Sequence, residues 1–364
     1  MVDKFYKIHR SPISDFRLAV EDILQGVAQA EAYPIRILFF ADVRANEEYL
    51  SLKEQMADLC KAFFQEELPL LALVAQSPLR CGLAAEVTYI AKENVSELKR
   101  YDDYITLGDE VLSAGLCADL SGDIDVQADA IFARVSEILC AEGCKVDDIT
   151  RQWNYIEQII HFSPRGQHYQ LFNDSRSRFY NHAEWSNGYP AATGIGTHAG
   201  GVVVVFDAVR ESNLQSVAVD NPLQISAHAY SQQVLLDGSE AVKSTPKFER
   251  ARYMATPSPS VYVSGTAAIR GEESCNEDAV GQAALTMENI DRLVAVENLV
   301  ASGVSEARQL YYGAMRAYLK HADDTEPVSE WIAENYPEVD MLYLLADICR
   351  EELLIEIEGV ATAK

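Results

Sequence analysis

Apolar residues alternate between two spacings along this chain. Ile35 to Phe40 is a continuous β-rich run, after which Tyr49, Leu52, Met56, Leu59 and Phe63 recur at helical spacing and Leu70 to Ala75 restores a short apolar strand. The segment from Tyr311 to Val360 follows the same grammar. Tyr311 to Leu319 leads to Asp323 and Asp324, then to a helix around Val328, Trp331 and Ile332, then to Met341 to Ala346. LLALVAQSPLRCGLAAEVTYI, starting at Leu70, resembles MLYLLADICREELLIEIEGV, starting at Met341, with one residue of slip. This is a faint internal duplication. Between the copies, the turn Ser121-Gly122-Asp123 precedes a helix with Ala128, Ile131, Val135 and Ile138 on one stripe. The strand GVVVVFD follows Gly200-Gly201, and one long helix is predicted from about Asp278 to Val300 through Val280, Ala284, Met287 and Val294. Strands and helices without regular βαβ alternation predict an α+β fold, with a boundary near Cys144 to Ile149.

Two stretches carry candidate chemistry. In Leu353 to Val360 the alternation puts Leu353, Ile355 and Ile357 on one face and Glu356 with Glu358 on the other. Such a pair is either a solvated strand face or, if Glu356 looks into a cleft, a general acid whose pKa is raised by burial and its neighbour. Gln152 to Gly196 concentrates Trp153, Tyr155, Tyr169, Phe172, Phe179, Tyr180, Trp185 and Tyr189 among Arg165, Arg176 and Arg178. Arginine forks match carboxylates and aromatic faces cover a ring, so the island suits a flat anionic ligand. The alternative is a tyrosine-rich core edge with exposed arginines.

Charge and motif content narrow the classes. Thirty Lys and Arg against 56 Asp and Glu leave a net charge of −26, which repels phosphate backbones and anionic lipid, so no nucleic acid and no membrane is expected as partner. Seven cysteines, odd in number and without a CxxC pair, read as reduced thiols. The start MVDKFYKIHRSPISDF lacks the apolar core of a secretory signal, and the run Val202 to Phe206 is too short to span a bilayer, so cytoplasmic residence is expected. No GxGxxG opens a helix, no GxxxxGK[ST], HExxH or GxSxG occurs, and the histidines stand singly. No metal and no cofactor is therefore expected.

QWNYIE at Gln152, YQLFNDSRSRFY at Tyr169, GYPAATGIG at Gly188, DNPLQISAHAYSQ at Asp220, TPKFERA at Thr245, VSGTAAIRGEES at Val263 and ADICREELLIEIEGVA at Ala346 occur in an order that resembles the chorismatase family. That family in turn resembles the RidA (YjgF-like) fold, seen here in VYVSGTAAI, in the helix with Gln282, Thr286 and Asn289, and in the closing EIEGVA. The resemblance implies two RidA-like domains: a degenerate structural copy over 1–148, with Leu79 roughly where Cys349 stands in the other, and a catalytic domain over 149–364. It implies conversion of chorismate to pyruvate and a hydroxybenzoate, with Glu356 as the acid that protonates the enolpyruvyl methylene. Gly265 in SGTA and Cys349 seven positions before the glutamate match the aromatising group, which favours 3-hydroxybenzoate, with 4-hydroxybenzoate as a further product. Arg176, Arg178 and Arg250 are the expected carboxylate ligands, with Tyr180 and Tyr189 along the ring. Arg176 and Arg178, two apart, would share a face in a strand. The alternatives are a RidA-type enamine or imine deaminase using Arg350, and a binding module without chemistry. Monomer and homotrimer are both left open.

Overall fold

An arginine lies inside each of three apolar strands, YPIRILFFA, ITRQWNYIE and YYGAMRAYL, and the architecture is arranged around these three side chains. The computed structural model describes residues 1–231 and 244–363. It is α+β, as expected. The first unit runs β1 (Lys4–Ser11), α1 (Phe16–Ala28), β2 (Tyr33–Ala41), α2 (Asn46–Phe64), β3 (Leu70–Val74) and β4 (Leu83–Ile90). Its strands lie in the order β1-β4-β2-β3, with only the β2–β3 contact parallel.

The same path recurs twice. The second unit is β5 (Glu110–Ser113), α3 (Ile124–Ala141), β6 (Ile149–Glu157), α4 (His168–Tyr180), β7 (Ala191–Thr197) and β8 (Val202–Val209), in sheet order β5-β8-β6-β7. The third is β9 (Ser260–Ala267), α5 (Ala279–Val294), α6 (Val296–Ala301), β10 (Tyr311–Leu319), α7 (Thr325–Asn335), β11 (Asp340–Leu345) and β12 (Ile355–Thr362), ordered β9-β12-β10-β11. The duplication legible in the sequence is thus the first and third of three copies. The division at 148/149 falls inside the middle copy, between α3 and β6. That copy opens on a strand of only four residues. The helix expected from Asp278 to Val300 is two helices, since Ala295 takes an extended ψ of 140°. The Asn298 amide donates to the Leu293 carbonyl exposed by that break.

In each unit one sheet face is covered by the unit's own helices, and the other faces turn towards one another. Arg36, Arg151 and Arg316 project there from the central strands β2, β6 and β10, each no more than 2% exposed. Trp153 lies between them, with the three guanidinium carbons 5.1, 4.6 and 5.7 Å from its ring centroid. Each arginine reaches a carboxylate of another unit. Arg36 pairs with Asp207 at 2.5 Å, Arg151 with Glu358, and Arg316 with Glu86 at 3.3 Å. Arg316 also donates to the Tyr155 hydroxyl at 2.6 Å.

A buried charge is tolerated only when paired, and removing one partner of such a pair costs about 3–5 kcal/mol. Arg316→Met, close in volume, leaves Glu86 facing an apolar side chain. It is expected to lower the unfolding free energy by that amount in urea denaturation, and a loss below ~1 kcal/mol would show that the ring does not hold the units together.

Candidate active site

Strand β12 carries Glu356 and Glu358 on one face, as the alternation predicts, and that face is buried rather than solvated: Glu356 is 6% exposed and Glu358 fully buried. Their environments differ sharply. Glu358 accepts from Arg151, from Tyr318 and, at 2.5 Å, from Thr193, and Arg316 lies 3.3 Å away. Burial alone would raise its pKa, but Arg316 and Arg151 with the two hydroxyl donors outweigh it and hold the carboxyl below its ordinary value. Among the described residues Glu356 has no such donors. Burial, then the charge of Glu358, pushes it up to about 8 against the weaker pull of Arg151 and Arg250. At neutral pH Glu356 is therefore mostly a neutral acid beside an ionised partner.

The backbone opposite makes room for it. β9 bulges between Val263 and Thr266, and Ala267 pairs with Glu356. The bulge brings Gly265 against the glutamate. A Cβ added there would overlap Oε1 and lie 2.9 Å from Cδ, with Thr193 Cγ2 at 3.2 Å. Thr193 Oγ1 accepts from the Gly265 amide at 3.1 Å and from Arg151 at 2.9 Å, tying the bulge to the arginine ring.

Glu356, Gly265, Cys349 and Arg250 line one cavity of 570 Å³ between the second and third units, ordinary in size for a small-ligand site. Other clefts of 380, 470 and 740 Å³ lack a buried acid. Burial, then the charge of Glu356, pushes the Cys349 thiol up to about 12, so it stays an S–H group. Arg250 is 2% exposed and donates to the Ile225 carbonyl and the Tyr230 hydroxyl, both at 2.6 Å, while its Nε has no partner among the described residues. Arg350, also in the cavity wall, donates to the Glu272 carbonyl at 3.0 Å and Ser274 Oγ at 3.1 Å. The two guanidinium carbons lie 5.5 and 5.1 Å from the Tyr230 ring, and among the described residues neither arginine has a carboxylate partner. Phe162, Tyr169 and Phe248 complete an aromatic lining. The acidic GEESCNE loop pins this corner, since Glu272 accepts from the Ser231 amide and hydroxyl at 2.8 Å each.

The remaining expected ligands lie elsewhere. FNDSRSRFY belongs to helix α4, not to a strand, so Arg176 and Arg178 point about 200° apart. Arg178 is exposed and bound by Asp129 at 2.8 Å, and Arg165 is held by Asp123 and Asp125. Arg176 is buried behind the cavity wall, donating to Asn173 Oδ1 at 2.6 Å. Tyr180 donates to Gln152 Oε1 at 2.9 Å and stacks on Tyr189, ring centroids 5.9 Å apart, and neither ring borders the cavity. The island is thus mostly core. Asn173 and Tyr230 are lining residues that sequence reasoning did not single out, and Tyr169 is the one aromatic of the island that borders the cavity. The spacing of 169, 173 and 176 on one helix face was the available signal once α4 is read as a helix. Among the described residues no His, Cys, Asp and Glu group has metal-holding geometry, all seven cysteines are free, and no helix is long and apolar enough to cross a membrane.

Residues 88–208 match the model for the family described as chorismatase FkbO/Hyg5-like, N-terminal. A 3-hydroxybenzoate synthase from Streptomyces hygroscopicus is 33% identical over 241 residues, 64% of this chain and 68% of that protein. A chorismatase from Streptomyces rapamycinicus is 31% identical over the same shares. A chorismatase crystal structure superposes with a TM-score of 0.70 at 20% identity, covering 99% of this chain and 98% of the other.

Gly265→Ala tests the packing of the acid. A crystal structure of the variant is expected to show the Glu356 carboxyl turned away from residue 265, and an unmoved carboxyl would refute the argument from the bulge.

Proposed function

Since the chain belongs to the chorismatase family, we propose that this enzyme's cavity converts chorismate to pyruvate and a hydroxybenzoate, with 3-hydroxybenzoate as the favoured product. The observation that carries the reading is a buried acid held largely neutral, facing a cavity whose wall holds two guanidinium groups with no carboxylate partner among the described residues. Chorismate brings two carboxylates. Arg250 and Arg350 take them, and the rings of Tyr169, Tyr230 and Phe248 cover the cyclohexadiene.

Glu356 then delivers its proton to the methylene carbon of the enolpyruvyl ether, giving an oxocarbenium ion. The ring C–O bond of that ion breaks with its electron pair going to oxygen and frees pyruvate, and the neighbouring ring hydroxyl oxygen moves onto the carbon so vacated. Loss of a proton from the carbon that now bears it, back to the Glu356 carboxylate, aromatises the ring to 3-hydroxybenzoate. An ionised carboxylate has no proton to give, and the raised pKa keeps it in place at neutral pH. The ionised Glu358 two residues on favours the cation that forms. Chorismate contains the atoms of pyruvate plus hydroxybenzoate, so the net conversion consumes nothing else. The neutral Cys349 thiol and the space at Gly265 match the aromatising group, and the similarity to a 3-hydroxybenzoate synthase supports the same product.

Incubation with chorismate should release pyruvate, read through lactate dehydrogenase and NADH, and chromatography should identify the ring product as 3-hydroxybenzoate. Absence of pyruvate above background would remove the reading. Because the acid works only when protonated, kcat/KM is expected to fall about tenfold per pH unit above pH 8. Glu356→Gln should reduce turnover by at least ~100-fold at all pH values without loss of fold. The same group affects stability. Folded Glu356 stays protonated up to about 8 while the unfolded carboxyl ionises near its ordinary value, so folding weakens as pH rises through that interval. The substitution should flatten this dependence in denaturation curves.

Cys349→Ala probes product choice independently. The product should shift towards the non-aromatic dihydroxylated diene, and an unchanged mixture would show that the thiol does not direct the outcome.

A further inference from the structure

Thr193 stands on β7 of the second unit, 1% exposed, where that strand meets β9 and β12 of the third. Its hydroxyl has one proton to give and two positions at which to accept. Two of its three partners can only donate: the Gly265 amide at 3.1 Å and Arg151 Nη2 at 2.9 Å. The hydroxyl proton is therefore committed to the third, Glu358 Oε2 at 2.5 Å. Both oxygens of Glu358 are met by donors, Oε2 by Thr193 and Arg151 and Oε1 by Tyr318 and Arg316, an arrangement that favours the ionised carboxylate.

The consequence falls on Glu356. Gly265 lies so close to its carboxyl that an added Cβ would overlap Oε1, yet the Gly265 amide is spent on Thr193. N–H groups bond a carboxylate more strongly than a neutral acid, so a free amide beside Glu356 would draw it into the ionised form. Thr193 occupies that amide and one N–H of Arg151. The other charged and titratable groups around Glu356 are Glu358 on its own strand, Cys349 ahead of it, Tyr318 opposite on β10, Tyr169 on α4, and Arg250 and Arg350 in the cavity wall. Burial keeps Cys349, Tyr169 and Tyr318 neutral well above pH 8.

We propose that Thr193 is a positioning residue for the proton donor: it engages the Gly265 amide and commits its own proton to Glu358, which keeps both donors off Glu356 and leaves the acid its proton for the substrate. That role rests on the chorismate reading given above, since the acid it serves is the one assigned to protonate the enolpyruvyl ether.

Thr193→Val keeps the shape of the side chain and removes the hydroxyl. The freed Gly265 amide and Arg151 N–H then favour the ionised acid. The descending limb of kcat/KM for pyruvate release should move down by about one pH unit or more, and the deficit against the unsubstituted enzyme should grow with pH to about tenfold. Thr193→Ser retains the hydroxyl and should hold the limb within ~0.3 unit of its original place. Thr193→Ala, which adds no bulk, should reproduce the valine result and serves if the valine variant does not fold. A role in packing alone would lower kcat or stability at every pH and leave the limb where it is.

Denaturation in urea reads the same group without substrate. Folded Glu356 keeps its proton up to about 8, so the unsubstituted protein loses stability as pH rises from the ordinary carboxyl range to that value. Loss of the Thr193 hydroxyl brings the folded value down, and this pH-dependent loss should shrink by about a quarter or more in Thr193→Val and persist in Thr193→Ser. In a Glu356→Gln background Thr193→Val should leave the pH dependence unchanged, because the group it acts through is gone.

An unmoved limb in Thr193→Val, a limb moved equally by Thr193→Ser, or a pH dependence of stability that the valine substitution does not alter would each overturn the assignment. Failure of the unsubstituted protein to release pyruvate would instead overturn the chorismate reading. A valine-specific change in the pH dependence of stability, absent from the Glu356→Gln background, would then leave the hold of Thr193 on Glu356 standing.

Discussion

Three guanidinium groups gathered around one indole ring set the terms for the rest of this structure. Arg36, Arg151 and Arg316 each leave their own unit to meet a carboxylate on another, and Arg316 also lies 3.3 Å from Glu358 of its own unit. Apolar contact would tolerate small rotations between the sheets. Paired charges in a low-dielectric interior do not, because a displaced partner strands its counter-ion. The ring therefore specifies how three similar sheets face one another as well as adding to their cohesion.

The same ring sets the protonation of the site. Glu356 and Glu358 have the same chemical identity and the same strand face, yet Glu358 lies within reach of two arginines and two hydroxyls while Glu356 lies beyond them, beside a glycine and an empty volume. One is therefore ionised and the other neutral. The separation arises from geometry alone, as neighbouring carboxyls in different surroundings take different roles. Thr193 connects the two regions, bonded at once to the ring through Arg151 and Glu358 and to the bulge through Gly265.

Charge distribution resolves an apparent conflict. A chain of net charge −26 is a poor host for a dianion. Among the described residues Arg250 and Arg350 are held by carbonyl, hydroxyl and ring contacts and not by carboxylates, which places positive charge in the cavity wall. The arginines exposed on helix α4 and its surroundings are neutralised locally by Asp123, Asp125 and Asp129 and contribute nothing there.

The sequence by itself determined the strand limits of Tyr311–Leu319, the stripe of α3, and the alternation that separates Glu356 and Glu358 from Leu353, Ile355 and Ile357, while the candidacy of Cys349, Gly265 and Arg250 came from family resemblance and not from any periodicity. Limits, stripe and alternation are local properties, since periodicity and backbone direction act over a few residues. Only the tertiary structure decided that Arg178 serves a surface aspartate, that Tyr180 and Tyr189 stack outside the cavity, that Arg350 and Tyr169 border it, and that a third copy of the motif lies between the two that sequence comparison finds. Arginines in strand interiors at 36, 151 and 316 were visible all along, but their meaning depends on partners 171, 207 and 230 residues away. A buried charge is interpretable only with its counter-ion, and no local pattern names a counter-ion on another sheet.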